Sequence, residues 1–187
     1  MDYRGRAFIY VLVAAGAEDL LKVGMTQNPL ARWAAFHERW FEVFDLDHSL
    51  LVETETRSDA QALETTLHRL LADHACPVPM AIDRRAGGFT EWYRGASAIT
   101  LDFVVDCQKR GYVAHLPARP VLASSMLAAR GDLDETVRSA YEAQLANALM
   151  PRHLASLRVL VAAHRAFGVE IDARFPADVI QALGLED

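Results

Sequence analysis

The stretch AFIYVLVAA at residues 7–15 and the stretch LLKVGM at residues 20–25 decide the fold. The first is an apolar run rich in β-branched and aromatic residues, the composition of a buried strand. Gly16-Ala17-Glu18-Asp19 is turn chemistry, so the second run returns beside the first as a hairpin. Working outward, Asn28 is a helix cap and Pro29 fits a first helical position, which predicts a helix to about Trp40. Leu30, Trp33, Ala34 and His37 fall on one of its faces, and Arg32, Phe36 and Arg39 on another. A third strand is expected over residues 46–55. A helix opened by Ser58-Asp59 then runs to about His74, with Leu63, Leu67, Leu70 and Leu71 as its core stripe. Residues 76–88 have the proline and glycine content of a loop. A short strand or a helix lead-in follows at 89–93, then a helix over 96–110 packed through Ile99, Phe103 and Val104.

The composition changes at HLPARP, residues 115–120, the expected linker, and beyond it the pattern is helical throughout. Asp132 is placed to cap a helix bearing Leu133, Val137, Tyr141, Leu145 and Leu149. Pro151 starts another with Leu154, Leu157, Val161 and His164 aligned, and a short one runs from Pro176 to Gly184. The expected class is therefore α+β: a small, mostly antiparallel sheet flanked by helices over residues 1–113, then an all-helical extension over 114–187.

Of the 187 residues, 52% are hydrophobic and 24% charged, a globular balance able to bury a core. No apolar run reaches membrane-spanning length, and the first residues lack the pattern of a signal peptide, so no membrane partner is expected. Cys76 and Cys107 have no CxxC partner and read as reduced core thiols of a cytoplasmic protein. The net charge of −6 limits any nucleic-acid surface to a local cluster of basic residues, because phosphate binding draws on lysine and arginine.

The order hairpin, helix, strand, helix carries a tyrosine on the first strand, a glycine closing the second, an arginine on the first helix and a glutamate on the second. In this it resembles the GIY-YIG nuclease superfamily. Phe8-Ile9-Tyr10 stands at the first triplet and Lys22-Val23-Gly24 at the second, with Arg32 eight residues on and Glu64 within ALETTLH. The pattern K-V-G-x-T-x-N-P-x-x-R and the later Glu91-Trp92-Tyr93 are similar to a branch found in phage and bacterial proteins. The resemblance covers about the first 110 residues. It departs from the usual pattern at Lys22, where tyrosine is common, and at Met25 and Phe36, where some relatives carry polar residues.

The resemblance implies metal-dependent hydrolysis of DNA, with Tyr10, Lys22, Arg32 and Glu64 as catalytic residues and Glu64 holding Mg²⁺ or Mn²⁺. A site with one carboxylate suits Mg²⁺, which keeps several waters and takes substrate oxygens as ligands. Arg32 offers a planar fork of donors to a phosphate. Tyr10 would position or deprotonate the water, which needs a nearby cation to favour the phenolate, and Lys22 is the candidate. His37 and His68 are candidate supporting residues, and Arg84 and Arg85 candidate contacts to the nucleic-acid backbone.

Structural readings stand beside each of these. Tyr10 is also what a core tyrosine looks like, Arg32 and Glu64 can form an ion pair between helices, and His37 can be a packing histidine. His68, one helical turn from Glu64, becomes a metal ligand only if a second carboxylate stands nearby. Arg84 and Arg85 can be solvated, and Glu91-Trp92-Tyr93 reads as a packing motif with Trp92 in the core. At the level of the chain, the alternative to a nuclease is a catalytically degenerate module that binds nucleic acid or a protein. The leucine stripes of the C-terminal helices are candidates for effector binding or for homodimer contact.

Overall fold

The computed structural model describes residues 5–16, 18–80, 82 and 90–186. It divides into two compact units, Met1–Leu122 and Ala123–Asp187.

The first unit is built on the expected hairpin. Strand β1 (Ala7–Ala14) pairs antiparallel with β2 (Leu20–Thr26) and, on its other side, with β3 (Phe44–Thr54). Two short strands complete the sheet: β4 (Trp92–Arg94) beside β2, and β5 (Ala114–His115) beside β3. The order is β4-β2-β1-β3-β5, and every pairing is antiparallel.

Strand periodicity sorts the side chains onto two faces. Ile9, Val11, Leu21, Val23, Leu50 and Val52 enter a core with Leu63, Leu67 and Leu71 of α3 (Arg57–Leu70 and its end) and with Phe103 and Val104 of α4 (Ser97–Lys109). The alternate residues, Phe8, Tyr10, Leu12, Lys22 and Gly24, belong to the opposite face. There Tyr10 meets Phe36 edge-on, and Phe36 meets Phe44.

The first helix is shorter than its sequence pattern. Asn28 caps α1 (Pro29–Ala34) by accepting from Ala31 N–H, as expected, but the helix stops at Ala34 and a second short one, α2 (Trp40–Val43), follows. His37 lies in the break, where its Nδ1 accepts the backbone N–H of Arg39. A side chain that bonds the backbone locally competes with the helical ladder. The next helix is capped by Thr56 rather than by Ser58-Asp59, and its last expected turn is a separate 3₁₀ segment, Ala72–His74. Both cysteines are free thiols; Cys107 is buried and Cys76 only partly so.

The compositional break at residues 115–120 does not separate the units. Ala114 pairs with Val52 and His115 with Leu51, so the sheet unit runs on to Leu122 rather than ending at residue 113. A helix that the sequence reading left unspecified within the helical extension, α5 (Arg119–Ala128), follows.

The second unit holds α6 (Arg130–Leu145), α7 (Pro151–Ala166) and α8 (Ala177–Leu183). Asp132 sits inside the first turn of α6 rather than capping it. Leu133, Val137, Leu157, Val161, Ile171, Ile180 and Leu183 form the core, with Leu149 and Leu154 packed against it. The stripes considered for dimer contact are thus spent inside their own unit, apart from Leu145, which is 66% exposed. No helix among the described residues is long and apolar enough to cross a membrane.

Candidate active site

Tyr10 and Gly24 are cross-strand partners in the β1–β2 ladder, and the ring of Tyr10 lies over the glycine. A Cβ built on Gly24 would stand 2.3 Å from the Tyr10 hydroxyl oxygen and 2.6 Å from its Cζ. Real carbon atoms do not approach so closely, so the bare backbone of residue 24 is what admits the ring. Arg32, on α1, donates from Nε to the Tyr10 hydroxyl at 3.3 Å, while its guanidinium stacks 4.5 Å from the centre of the Phe36 ring.

Tyr10 is 1% exposed, and its pKa is pushed up to about 12. Burial is the main cause; Arg32 opposes it, and the carboxylates of Glu91 and Glu64 add to it. At neutral pH the group is a phenol, with roughly one molecule in 10⁵ ionised. The expected cation beside the tyrosine was Lys22; the one that donates to its hydroxyl is Arg32. Lys22 is itself fully buried, donating to Glu91 Oε2 at 2.9 Å and lying 5.3 Å from the Phe36 ring centre and 5.8 Å from that of Trp92. Burial lowers its pKa, and the bond to Glu91 resists that shift. A buried ammonium without a counter-charge is costly, so the Lys22–Glu91 pair is first a structural requirement of this face.

α3, whose Leu63 and Leu67 pack into the core on the other face of the sheet, presents Glu64 and His68 one turn apart. Glu64 is 9% exposed; its Oε2 accepts from Gln61 Nε2 at 2.9 Å, and its Oε1 lies 3.8 Å from His68 Nε2. The other ring nitrogen of His68, Nδ1, is 2.6 Å from the Tyr93 hydroxyl. Tyr93 is the next residue but one after Glu91. The Glu91 carbonyl accepts Val23 N–H, which extends the β2–β4 ladder one step beyond the Lys22–Trp92 pair. One ligand atom each from Glu64, His68 and Glu91 lies within 4.8 Å of the others. Among the described residues, this is the only set of three such groups gathered closely enough to hold a metal ion.

Tyr10, Lys22, Arg32 and Glu64 therefore converge, and His68 joins them. His37 does not: its ring nitrogen is engaged by Arg39 in the turn between α1 and α2. Met25 packs against the α3–α4 core, on the face away from Tyr10. Arg84 and Arg85 lie outside the described residues. The residue that sequence reasoning missed is Glu91, taken there for part of a packing motif. Trp92 and Tyr93 are indeed core residues, but the glutamate before them is the second carboxylate that His68 lacked. The signal was a lone acid just ahead of the Trp92-Tyr93 pair, and only the pairing of β4 with β2 gives it meaning.

Residues 7–110, more than half of the chain, match the T5orf172 domain. The chain belongs to the T5orf172 family. This is a phage-associated domain related to GIY-YIG-like and HNH-like nucleases. The T5orf172 match spans the sheet from β1 to β4 together with α1 to α4, and so includes every residue of the convergence just described. No curated protein and no solved structure matches the chain.

Proposed function

We propose that the T5orf172 domain of this protein is a GIY-YIG-type endonuclease that hydrolyses phosphodiester bonds of DNA with a divalent metal ion held at Glu64. The observation that carries this reading is the Tyr10–Arg32 hydrogen bond over Gly24, beside the carboxylates of Glu64 and Glu91. A phenol, a guanidinium and a carboxylate so arranged supply a water-orienting group, a phosphate clamp and a metal ligand. The donor set fits a divalent ion, since carboxylate oxygens and an imidazole nitrogen stand together.

Arg32 binds and orients the phosphate, and neutralises charge that builds on its oxygens. Tyr10 acts as a hydrogen-bonding phenol: with a pKa near 12 it orients the attacking water rather than standing ready as its base. When bound, the metal supplies charge neutralisation and lowers the pKa of a coordinated water. Lys22, buried and paired, holds Glu91 in position and does not reach the substrate.

The test is cleavage of supercoiled plasmid with Mg²⁺ and then Mn²⁺. Nicked or linear product is expected from the native protein, and at least a ~10²-fold slower rate from a folded Glu64→Ala variant. Equal cutting by the two proteins would overturn the role of Glu64. The burial of Lys22 and the apolar Phe36 favour a second reading, a module that binds nucleic acid or protein without cutting. A folded native protein that binds varied DNA and leaves it intact under both metals would establish that reading instead.

A further inference from the structure

We propose that Glu91 and His68 join Glu64 as ligands of one divalent cation, and that the imidazole makes the site prefer a first-row transition ion such as Mn²⁺ to Mg²⁺. The proposal rests on the reading of Glu64 as the metal-holding residue, and deepens it by adding two ligands and a selectivity.

The spacing is that of a site about to close. Oxygen and nitrogen ligands lie about 2.1 Å from a small divalent ion, so ligand atoms sharing that ion stand about 3–4 Å apart. Glu64 Oε1 and His68 Nε2 are at 3.8 Å, too far for a good hydrogen bond and within that range. The whole set spans no more than 4.8 Å, so side-chain rotations suffice to draw it in.

Each ligand is also aimed by a partner of its own, the arrangement that orients metal-binding side chains. Gln61 holds one oxygen of Glu64, leaving the other facing His68. Lys22 holds one oxygen of Glu91. Tyr93 holds His68 at Nδ1, and when that nitrogen carries the proton and donates to the tyrosine oxygen, Nε2 presents its lone pair beside Glu64. Both carboxylates thus have a fixed bearing before any ion arrives.

Two carboxylates and an imidazole select among ions. Mg²⁺ demands near-octahedral oxygen ligands and gives up water reluctantly, whereas a nitrogen ligand favours first-row transition ions over it, in a series where Mn²⁺ is the weakest binder. The expected sign is the reverse of the Mg²⁺ preference that a single-carboxylate site implies.

The experiment is a titration of the full chain with Mn²⁺, without DNA, followed by paramagnetic resonance of the free ion, with Mg²⁺ as competitor. Mn²⁺ is expected to bind about tenfold or more tightly than Mg²⁺. The His68→Gln variant should bring the two ions to within about threefold of each other. Glu91→Gln should weaken both, and Tyr93→Phe should weaken Mn²⁺ about tenfold. His68 is partly exposed, so its replacement leaves a folded protein, which circular dichroism checks. Equal affinity for the two ions in the native protein, or a Mn²⁺ preference that survives His68→Gln, would overturn the proposal. Binding as expected with no DNA cut would leave the cation site standing and remove the nuclease reading. Cutting that needs Glu64 but is indifferent to His68 and Glu91 would do the opposite.

Discussion

At the scale of single residues, the site turns on an atom that is missing. Gly24→Ala adds one methyl group where the Tyr10 ring already lies, and that ring is packed against Phe36 on a fully buried face. The variant is expected to lose about 1–3 kcal/mol of stability by overpacking. Displacement of the hydroxyl from Arg32 should slow the proposed DNA cutting about 10²-fold. Thermal melting and the plasmid assay check the two effects. Gly131→Ala, in open space on α6, is the control and should leave stability unchanged or raise it by about 0.5 kcal/mol. Tyr10, Gly24, Arg32 and Glu64 could be singled out because the motifs that carry the family resemblance are local, each lying within one element. Glu91 was not, because it joins Lys22 across 69 residues of chain. The burial of Lys22 was hidden for the same reason: a lysine in a strand is ordinarily solvated, and only the opposing Phe36, Trp92 and Glu91 explain why this one is inside.

At the scale of elements, α3 carries both Glu64 and His68, so its first turn bears on the site. Thr56 accepts from Asp59 N–H at 3.1 Å and donates to the Asp59 carboxylate at 2.7 Å. Thr56→Ala should cost about 1 kcal/mol, seen as a lower melting temperature, with the cation affinity proposed for Glu64 and His68 retained at low temperature. An unchanged melting temperature would show that tertiary packing alone sets the end of α3. The hairpin, the Asn28-Pro29 start of α1 and the α3 stripe were readable because capping and periodicity are local rules. The break after Ala34 was not, since the amphipathic pattern continues through Phe36 while the backbone leaves the helix. The outermost strand β5 was hidden as well: two residues are too short for any periodicity, and their place is set by pairing with β3.

At the scale of the whole chain there are two units, each with a core of its own. Trp33, Trp40 and Trp92 all belong to the first, so tryptophan emission follows that unit while helical dichroism follows both. His164 lies in the second. It is 2% exposed; Nδ1 bonds the Leu160 carbonyl, and Nε2 has no partner among the described residues. Burial lowers its pKa below the ordinary value of 6.5, so between the two values the unfolded chain binds a proton that the folded one refuses. Stability from this group is therefore present above the unfolded pKa and is lost as pH falls below about 6.5 towards the folded value. Acidification from pH 7.5 to 5 should lower the dichroism-detected melting of the second unit by an amount that tryptophan emission does not register. The His164→Leu variant should abolish that difference. Persistence of the difference in the variant would assign it to other groups.

The placement of the Lys22–Glu91 pair also has a consequence for how the chain is made. Tyr10, Lys22 and Arg32 leave the ribosome first, Glu64 and His68 later, and Glu91 with Tyr93 last. At roughly 5–20 residues per second, the 69 residues between Lys22 and Glu91 take on the order of 3–14 seconds to synthesise. During that interval the lysine destined for the interior has not met this counter-charge, and the sheet edge bearing the acid does not exist. Chemistry that relies on Glu91, as proposed, therefore waits until β4 has joined β2 and the buried ammonium has met its counter-charge.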